Sequence, residues 1–478
     1  MLDFNGGIMD YWELRKRVSR IIPRATILAS YKKRVEYVKE KGRKKNYSQF
    51  NLIHKEWKRQ ERLLNTEAIN SFLEISTRAA ACPMPFNMDV WDGLLCPFGC
   101  IYCYANSFRA SLYTAFFDNS KTLGMRHCSP DYYKKELDKM ESLRSKSFLE
   151  KKELSGIRKA FALEIPIRLG IRFEDFLKNE RRAKISLEML NYLADIEYPV
   201  MINTKSDLVG EREYVKALSR NNAGAAVHIT SITSDENLIK KLEPGAPSYK
   251  RRLEAMKALS SSGVRVVARI EPYLFLINDR KDDVYRYIED VKKAGVRNIT
   301  FDTYSYTAGN KGIRQSFLNK GFDFDRLFLA GCDSQPLGSL LLGKFMDLFR
   351  REGLSCSTFD MGNVPANDQD ICCEVSDWFK RGFNYGCTVI AARYIKSKEG
   401  KAVSWKTFDK YVNSKGGWLN ENLKLQVKKM WNLDDGVAYS NKWAVGIFPA
   451  GIDEDGIIWK CTSSNLKDYR EKLLEELL

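Results

Sequence analysis

Cys96, Cys100 and Cys103 stand in the run Leu95-Cys-Pro-Phe-Gly-Cys-Ile-Tyr-Cys-Tyr-Ala105, a C-x3-C-x2-C spacing inside one tight loop. Iron–sulfur clusters ordinarily take four cysteine ligands. Three thiolates this close can hold three corners of a 4Fe–4S cube and leave the fourth iron open. An open iron can chelate a small molecule through an amine and a carboxylate, and S-adenosylmethionine carries both. Pro97 and Gly99 suit a tight loop, Gly99 because it tolerates strained backbone angles. Tyr102 has a flat face to offer an adenine ring. The blander readings are a zinc site or three unrelated buried thiols. Zinc sites usually pair C-x2-C with a second such motif or with spaced histidines; this chain has no second C-x2-C and three histidines in all.

Elements are needed to position such a loop. Strand-like apolar runs lie at residues 88–95, 161–169, 199–203, 225–230, 264–270 and 298–303. Helical patterns fill the gaps, as at 185–196, 211–218, 249–261 and 283–294. Gly263 and Gly295 stand where helices should stop. Alternating strands and helices predict parallel strands with right-handed crossovers, hence an α/β fold built on a partial (β/α)6 barrel. The site of such a barrel lies at the C-terminal strand ends. There Lys205, His228 with Thr230, Arg269 with Glu271, and Asp302 with Tyr304 alternate as an inward face would. The alternative for each is a satisfied buried group, such as an Arg269–Glu271 ion pair.

The cysteine loop, with Tyr102 and Tyr104 around its last cysteine, resembles the cluster loop of radical S-adenosylmethionine enzymes. Asn203-Thr-Lys-Ser206, Leu242-Glu-Pro-Gly-Ala-Pro-Ser248, Arg252-Leu253 and Arg269-Ile-Glu-Pro272 narrow the resemblance to the spore photoproduct lyase-like branch, over about residues 88 to 305. The resemblance implies the same barrel. It also implies Cys96, Cys100 and Cys103 as ligands of a 4Fe–4S cluster and S-adenosylmethionine as co-substrate. In its terms Tyr102 packs on the adenine, Lys205 meets the carboxylate of S-adenosylmethionine, and His228 or Thr230 lines its ribose or methionine side. Tyr104 stands near the radical path, and Arg269 and Glu271 join it as candidate catalytic residues. One departure is plain. The lyases carry a hydrogen-donating cysteine after the second strand, and the stretch Glu164-Ile-Pro-Ile-Arg-Leu-Gly-Ile-Arg-Phe-Glu-Asp175 has none. Modification or rearrangement of a nucleobase is therefore expected rather than photoproduct repair. The alternatives are a radical peptide- or protein-modifying enzyme and a nucleic-acid-binding protein with a structural cluster.

The formal net charge is +17, and residues 1–80 hold 18 Lys or Arg against 9 Asp or Glu. Basic runs at Arg15-Lys-Arg17, Lys32-Lys-Arg34 and Arg43-Lys-Lys45 read either as solvated helix surface or as a contact for DNA or RNA. Residues 8–45 and 51–79 read as helices. Six of nine tryptophans follow residue 370, where a hairpin around Asp453-Glu-Asp-Gly456 is expected; these aromatics offer stacking surfaces for bases. The organisation read from this is a basic helical extension over 1–85, a barrel core over 86–305 and a connecting region over 306–370. A small aromatic-rich α+β subdomain over 371–478 completes it. The downstream cysteines, Cys332, Cys356, Cys372, Cys373, Cys387 and Cys461, are either buried thiols or ligands of a second cluster. Cys82 and Cys128 read as packing residues. No run is apolar enough to cross a membrane, and eleven cysteines without a secretory signal fit a reducing cytoplasm. An electron donor such as flavodoxin or ferredoxin is implied as a partner.

Overall fold

The computed structural model describes residues 10–21, 66–69, 74–75, 84–91, 96–103, 125–171, 174–304, 311–324, 336–358, 373–379, 387–432 and 447–462. Its centre is an eight-stranded sheet. In spatial order it runs β10 (Ser355–Thr358), β9 (Asn298–Thr303), β8 (Arg265–Tyr273), β7 (Ala225–Thr230), β6 (Val200–Thr204), β5 (Ile167–Leu169), β3 (Phe86–Asn87) and β2 (Glu74–Ile75). All neighbours from β3 to β10 pair parallel, and β2 joins β3 antiparallel. The parallel strands thus lie side by side in chain order. Right-handed crossovers then put every connecting helix on one face and leave the other as the interior of a partial barrel. Two further sheets are small: β1 (Thr66–Ile69) with β4 (Met125–Cys128), and an antiparallel β11 (Ala402–Val403), β13 (Gly456–Lys460) and β12 (Phe448–Asp453).

Register separates the two faces, because successive side chains of a strand point to opposite sides. Asn203, His228 and Val267 are paired across β6, β7 and β8, while Thr230, Arg269, Thr300 and Ser357 are paired across β7 to β10. These polar residues therefore share the interior face. The intervening Ile202, Val227, Ile229, Val266, Ile299 and Phe301 are buried on the other. That face meets the helices: Tyr273 and Phe301 pack on Phe345, and Phe301 also on Phe349. The connecting helices include α2 (Ile185–Asp195), α3 (Arg212–Ser219), α4 (Glu236–Leu242), α5 (Tyr249–Ser261), α6 (Lys281–Lys293) and α7 (Pro336–Arg351). Gly263 and Gly295 follow α5 and α6 with φ of 79° and 82°, as helix-ending glycines do.

The expected elements shift at several points. The first strand is Phe86–Asn87, earlier and shorter than the apolar run at 88–95. Phe161 and Ala162 close the helix Gly156–Ala162, and only Ile167–Leu169 is extended, since apolar content alone does not separate a buried helix end from a strand. β10, on the stretch 354–358 that the sequence also offers as a strand, joins the sheet as a seventh parallel strand beside the six expected of the barrel. Within 51–79, residues 66–69 and 74–75 are strands rather than helix; their three- and four-residue apolar spacing lost to pairing with β4 and β3. In the N-terminal region, α1 (Tyr11–Ile21) is helical as read.

The N-terminal ends of four strands are closed by residues 373–379. Asn298 of β9 and Ser355 of β10 donate to Glu374 at 3.0 and 2.6 Å. Arg265 of β8 pairs with Asp377, and the Trp378 indole donates to the carbonyl of Ala225 in β7 at 2.8 Å.

Helices α8 (Thr388–Ser397), α9 (Trp405–Ser414) and α10 (Glu421–Trp431) pack with the small β-sheet. Trp405 stacks on Trp418 and Phe408 on Trp431, and the indoles of Trp431 and Trp459 donate to backbone carbonyls. Trp405, Trp418, Trp431 and Trp459 are all buried. These rings are a core and not an open platform for bases, which corrects the stacking role expected of them; Trp443 lies outside the described residues.

Candidate functional site

The cysteine loop leaves the C-terminal end of β3. Its approach is pinned by two buried carboxylates. Asp175 accepts the backbone N–H groups of Val90 and Trp91, both at 3.0 Å, and of Gly170 at 2.8 Å. Glu180 accepts the Trp91 indole at 2.8 Å, the N–H groups of Ser186 and Leu187 at 3.0 Å, and the Tyr214 hydroxyl at 2.9 Å. Burial raises both carboxyls, most strongly Asp175, where nearby Asp89 adds to the effect.

The loop itself lies on the segment between α4 and α5. The Ile101 N–H donates to the Leu242 carbonyl at 2.9 Å, and the Gly245 N–H to the Phe98 carbonyl at 3.0 Å. A Cβ on Gly245 would collide with the Pro97 carbonyl, so the close approach requires glycine. Gly99 sits at φ 58°, and the Cys103 N–H closes a turn on the Cys100 carbonyl at 3.1 Å. Cys100 is buried, Cys96 and Cys103 are half-buried, and none is in a disulfide. Burial, then the charge of Glu243, pushes the Cys100 thiol up, and Lys205 opposes them. A coordinated metal reverses that balance, because a ligating thiol is deprotonated outright. Cys96 and Cys103 also act electrostatically on Cys100. Yet among the described residues no three Cys, His, Asp or Glu side chains converge on a single-ion position. The three thiols on this one short loop are the donor set that a metal cluster would draw on.

Tyr102 points into the same contact. Its buried hydroxyl donates to Glu243, whose other oxygen accepts Arg252. Arg252 also donates to the Thr230 carbonyl at 2.9 Å and to the Pro247 carbonyl at 2.9 and 2.8 Å. The Lys205 ammonium lies 5.6 Å from the centre of the Tyr102 ring. Burial alone would raise the Glu243 carboxyl; Arg252, Lys205 and the Tyr102 hydroxyl outweigh it and hold it below the ordinary carboxylate range. Sequence reading gave Glu243 and Arg252 no role, although both stand in the motifs that carried the resemblance.

Lys205 follows β6, held through Glu174, which accepts its N–H at 2.9 Å and the Thr204 hydroxyl at 2.5 Å. Glu174 is thus a positioning group to which the sequence reading gave no role. His228 and Thr230 are buried on the interior face, as expected. Burial, then Arg269, Arg168 and Arg265, holds His228 far below its usual pKa, so the imidazole is neutral. Arg269 and Glu271 form an ion pair. Burial raises Glu271, but Arg269 outweighs it, and Lys205 acts in the same direction. Lys205 therefore acts electrostatically on both the cysteine loop and Glu271. Asp302 shares the face of Thr300 by alternation. Tyr104 lies outside the described residues.

The other expectations divide. Cys128, Cys356, Cys373, Cys387 and Cys461 are buried; Cys82, Cys332 and Cys372 lie outside the described residues. Arg15 pairs with Asp279 at 2.9 Å and Arg17 with Glu13 at 2.8 Å. That first basic run is thus engaged largely within the molecule. The runs at 32–34 and 43–45 lie outside the described residues. Asp279 is fully buried and also accepts the Tyr11 hydroxyl at 2.5 Å, fastening α1 to the loop after β8.

No family model and no curated protein matches the chain. Among solved structures it is similar to a spore photoproduct lyase complexed with a dinucleoside spore photoproduct, at 12% identity and TM-score 0.42, covering 62% of this chain and 81% of that one. A variant of that enzyme with bound AdoMet gives 13% identity, the same coverage and the same TM-score of 0.42. SuiB of Streptococcus suis bound to S-adenosylmethionine is similar at 11% identity and TM-score 0.37, covering 58% of this chain and 51% of that one. Spore photoproduct lyase and SuiB are radical S-adenosylmethionine enzymes, and the chain resembles them at 11–13% identity.

Proposed function

We propose that this protein is a radical S-adenosylmethionine enzyme whose core is the barrel of residues 86–305. The observation that carries the reading is the seating of the C-x3-C-x2-C loop at the C-terminal edge of a parallel sheet, with Lys205 reaching its Tyr102. Cys96, Cys100 and Cys103 would hold a 4Fe–4S cluster. When bound, that cluster with S-adenosylmethionine on its open iron supplies one-electron cleavage to methionine and a 5′-deoxyadenosyl radical that takes a hydrogen atom from the substrate. Lys205 places a point charge where a carboxylate would lie. Glu174 fixes the lysine's backbone. Neutral His228 and Thr230 offer hydrogen bonds from the interior face. The Arg269–Glu271 pair lines the mouth, and Tyr104 is the remaining candidate beside the radical path. An electron donor of the flavodoxin or ferredoxin type and a cytoplasmic setting belong to this reading.

For substrate we favour a base in DNA or RNA, modified or rearranged. Its support is the net charge of +17 together with the lyase-like motifs. The basic runs at 32–34 and 43–45 remain candidates for phosphate contact; Arg15 and Arg17 do not. Anaerobic reconstitution should give about four irons per chain and, with dithionite, 5′-deoxyadenosine. A chain that takes up no iron overturns the chemistry. Binding to DNA and RNA should weaken steeply with salt. If both polymers bind no better than an unrelated protein of similar charge, the peptide-modifying reading takes first place.

A further inference from the structure

The buried Glu243–Arg252 pair has no obvious return in stability. Glu243 is 1% exposed and Arg252 is fully buried. Desolvating two such charges offsets most of their attraction, and an apolar replacement of similar volume is often as stable. What the pair does is geometric. Arg252 is referenced to the end of β7 through the Thr230 carbonyl and to the α4–α5 segment through Pro247. It holds one oxygen of Glu243, and the other oxygen holds the hydroxyl of Tyr102, which stands between Cys100 and Cys103. On the flanking residue, Ile101 donates to Leu242, next to Glu243 in the chain.

We propose that Glu243 is the positioning residue of the cysteine loop. It transmits the position of the β7 end to Cys100 and Cys103 through Tyr102, and its negative charge beside Cys100 biases a bound cluster toward the oxidised state. The inference rests on the cluster-binding reading above. Groups that orient metal ligands from behind are ordinarily worth about 10- to 100-fold in metal retention, which sets the size of the expected effect. Positioning and charge are separable. Glu243→Gln keeps an oxygen for Tyr102 but removes the charge, leaving Arg252 uncompensated. Tyr102→Phe breaks the tie to the loop and leaves the ion pair intact. Glu243→Asp keeps the charge and shortens the reach.

The test uses the full chain reconstituted anaerobically, with circular dichroism to establish folding. Iron loss to a chelator and the reduction potential of the cluster, followed by electron paramagnetic resonance, are the readouts. Tyr102→Phe and Glu243→Asp should lose iron about 10- to 100-fold faster than wild type, with potentials close to it. Glu243→Gln should shift the potential positive. Wild-type retention in Tyr102→Phe, or an unshifted potential in folded Glu243→Gln, overturns the proposal. If Glu243→Gln does not fold, Tyr102→Phe decides the positioning claim and Glu243→Asp the charge claim, since a potential shifted positive from wild type in the aspartate variant, which keeps the charge, removes the charge argument. A wild-type chain that binds no iron overturns the underlying function. A loaded wild type indistinguishable from all variants overturns only this inference.

Discussion

The two ends of the parallel sheet are closed by different chemistry. At the C-terminal end, buried carboxylates take backbone N–H groups, Asp175 those of Val90 and Trp91 and Glu174 that of Lys205, alongside a few side chains such as Thr204 and Tyr102. At the N-terminal end, residues 373–379 take mostly side chains, with Glu374 on Asn298 and Ser355 and Asp377 on Arg265, and only the Trp378 indole takes backbone, the Ala225 carbonyl. Holding backbone fixes where a loop runs and leaves its own side chains available. Holding side chains consumes them. The first arrangement suits an end whose cysteines and lysine are proposed to hold a cofactor, and the second suits a floor.

Substitutions should separate the ends by effect. The largest difference is expected for Cys100→Ala, which removes a proposed iron ligand and should abolish 5′-deoxyadenosine formation while far-ultraviolet circular dichroism stays unchanged. Appreciable cleavage in that variant would erase the functional asymmetry. Arg252→Ala leaves Glu243 buried without its partner and should cost about 3–5 kcal/mol in denaturant unfolding. Lys205→Ala should weaken S-adenosylmethionine binding about tenfold, roughly 1.4 kcal/mol, with iron content preserved. Collapse of iron content with unchanged affinity would make Lys205 a structural residue. At the floor, Asp377→Asn breaks an ion pair whose carboxylate is exposed, although its Arg265 partner is mostly buried. It should change stability by less than about 1 kcal/mol and leave cofactor binding untouched.

Acid sharpens the same contrast. Glu243 is held below the ordinary carboxylate range in the folded protein. Its contribution is therefore present above the unfolded-state pKa and lost as pH falls through the lower folded value. Stability of the wild type should fall more steeply below about pH 4 than that of Glu243→Gln. Equal slopes in the two proteins would show that the ion pair does not carry the acid sensitivity of this end.

What was legible in the sequence follows from distance along the chain. The three thiols lie within eight residues, and the strands from 199 to 303 show local periodicity, so both could be read directly. The interior face was legible wherever alternation is regular, as at His228 and Thr230. The groups that hold the loop were not. Glu243 meets Tyr102 across 141 residues and Asp175 meets Val90 across 85, and no local pattern announces such pairings. Residues 66–69 and 74–75 failed for a related reason: helical spacing in a short segment yields to strand partners supplied from elsewhere. The aromatic C-terminal residues were legible as a group but not in their orientation, since composition does not say whether a ring faces solvent or another ring.

The fastening of α1 has a consequence in time. Arg15 and Tyr11 meet Asp279 across 264 and 268 residues. On a ribosome adding about 5–20 residues per second, Arg15 is made roughly 13–53 s before its acceptor. During that interval the apolar side of α1, with Leu14 and Val18, has no partner from α7, whose residues are synthesised later still. The earliest described helix therefore cannot dock until these later partners are made, and nascent chains halted short of residue 279 should leave it open to protease while full-length chains protect it.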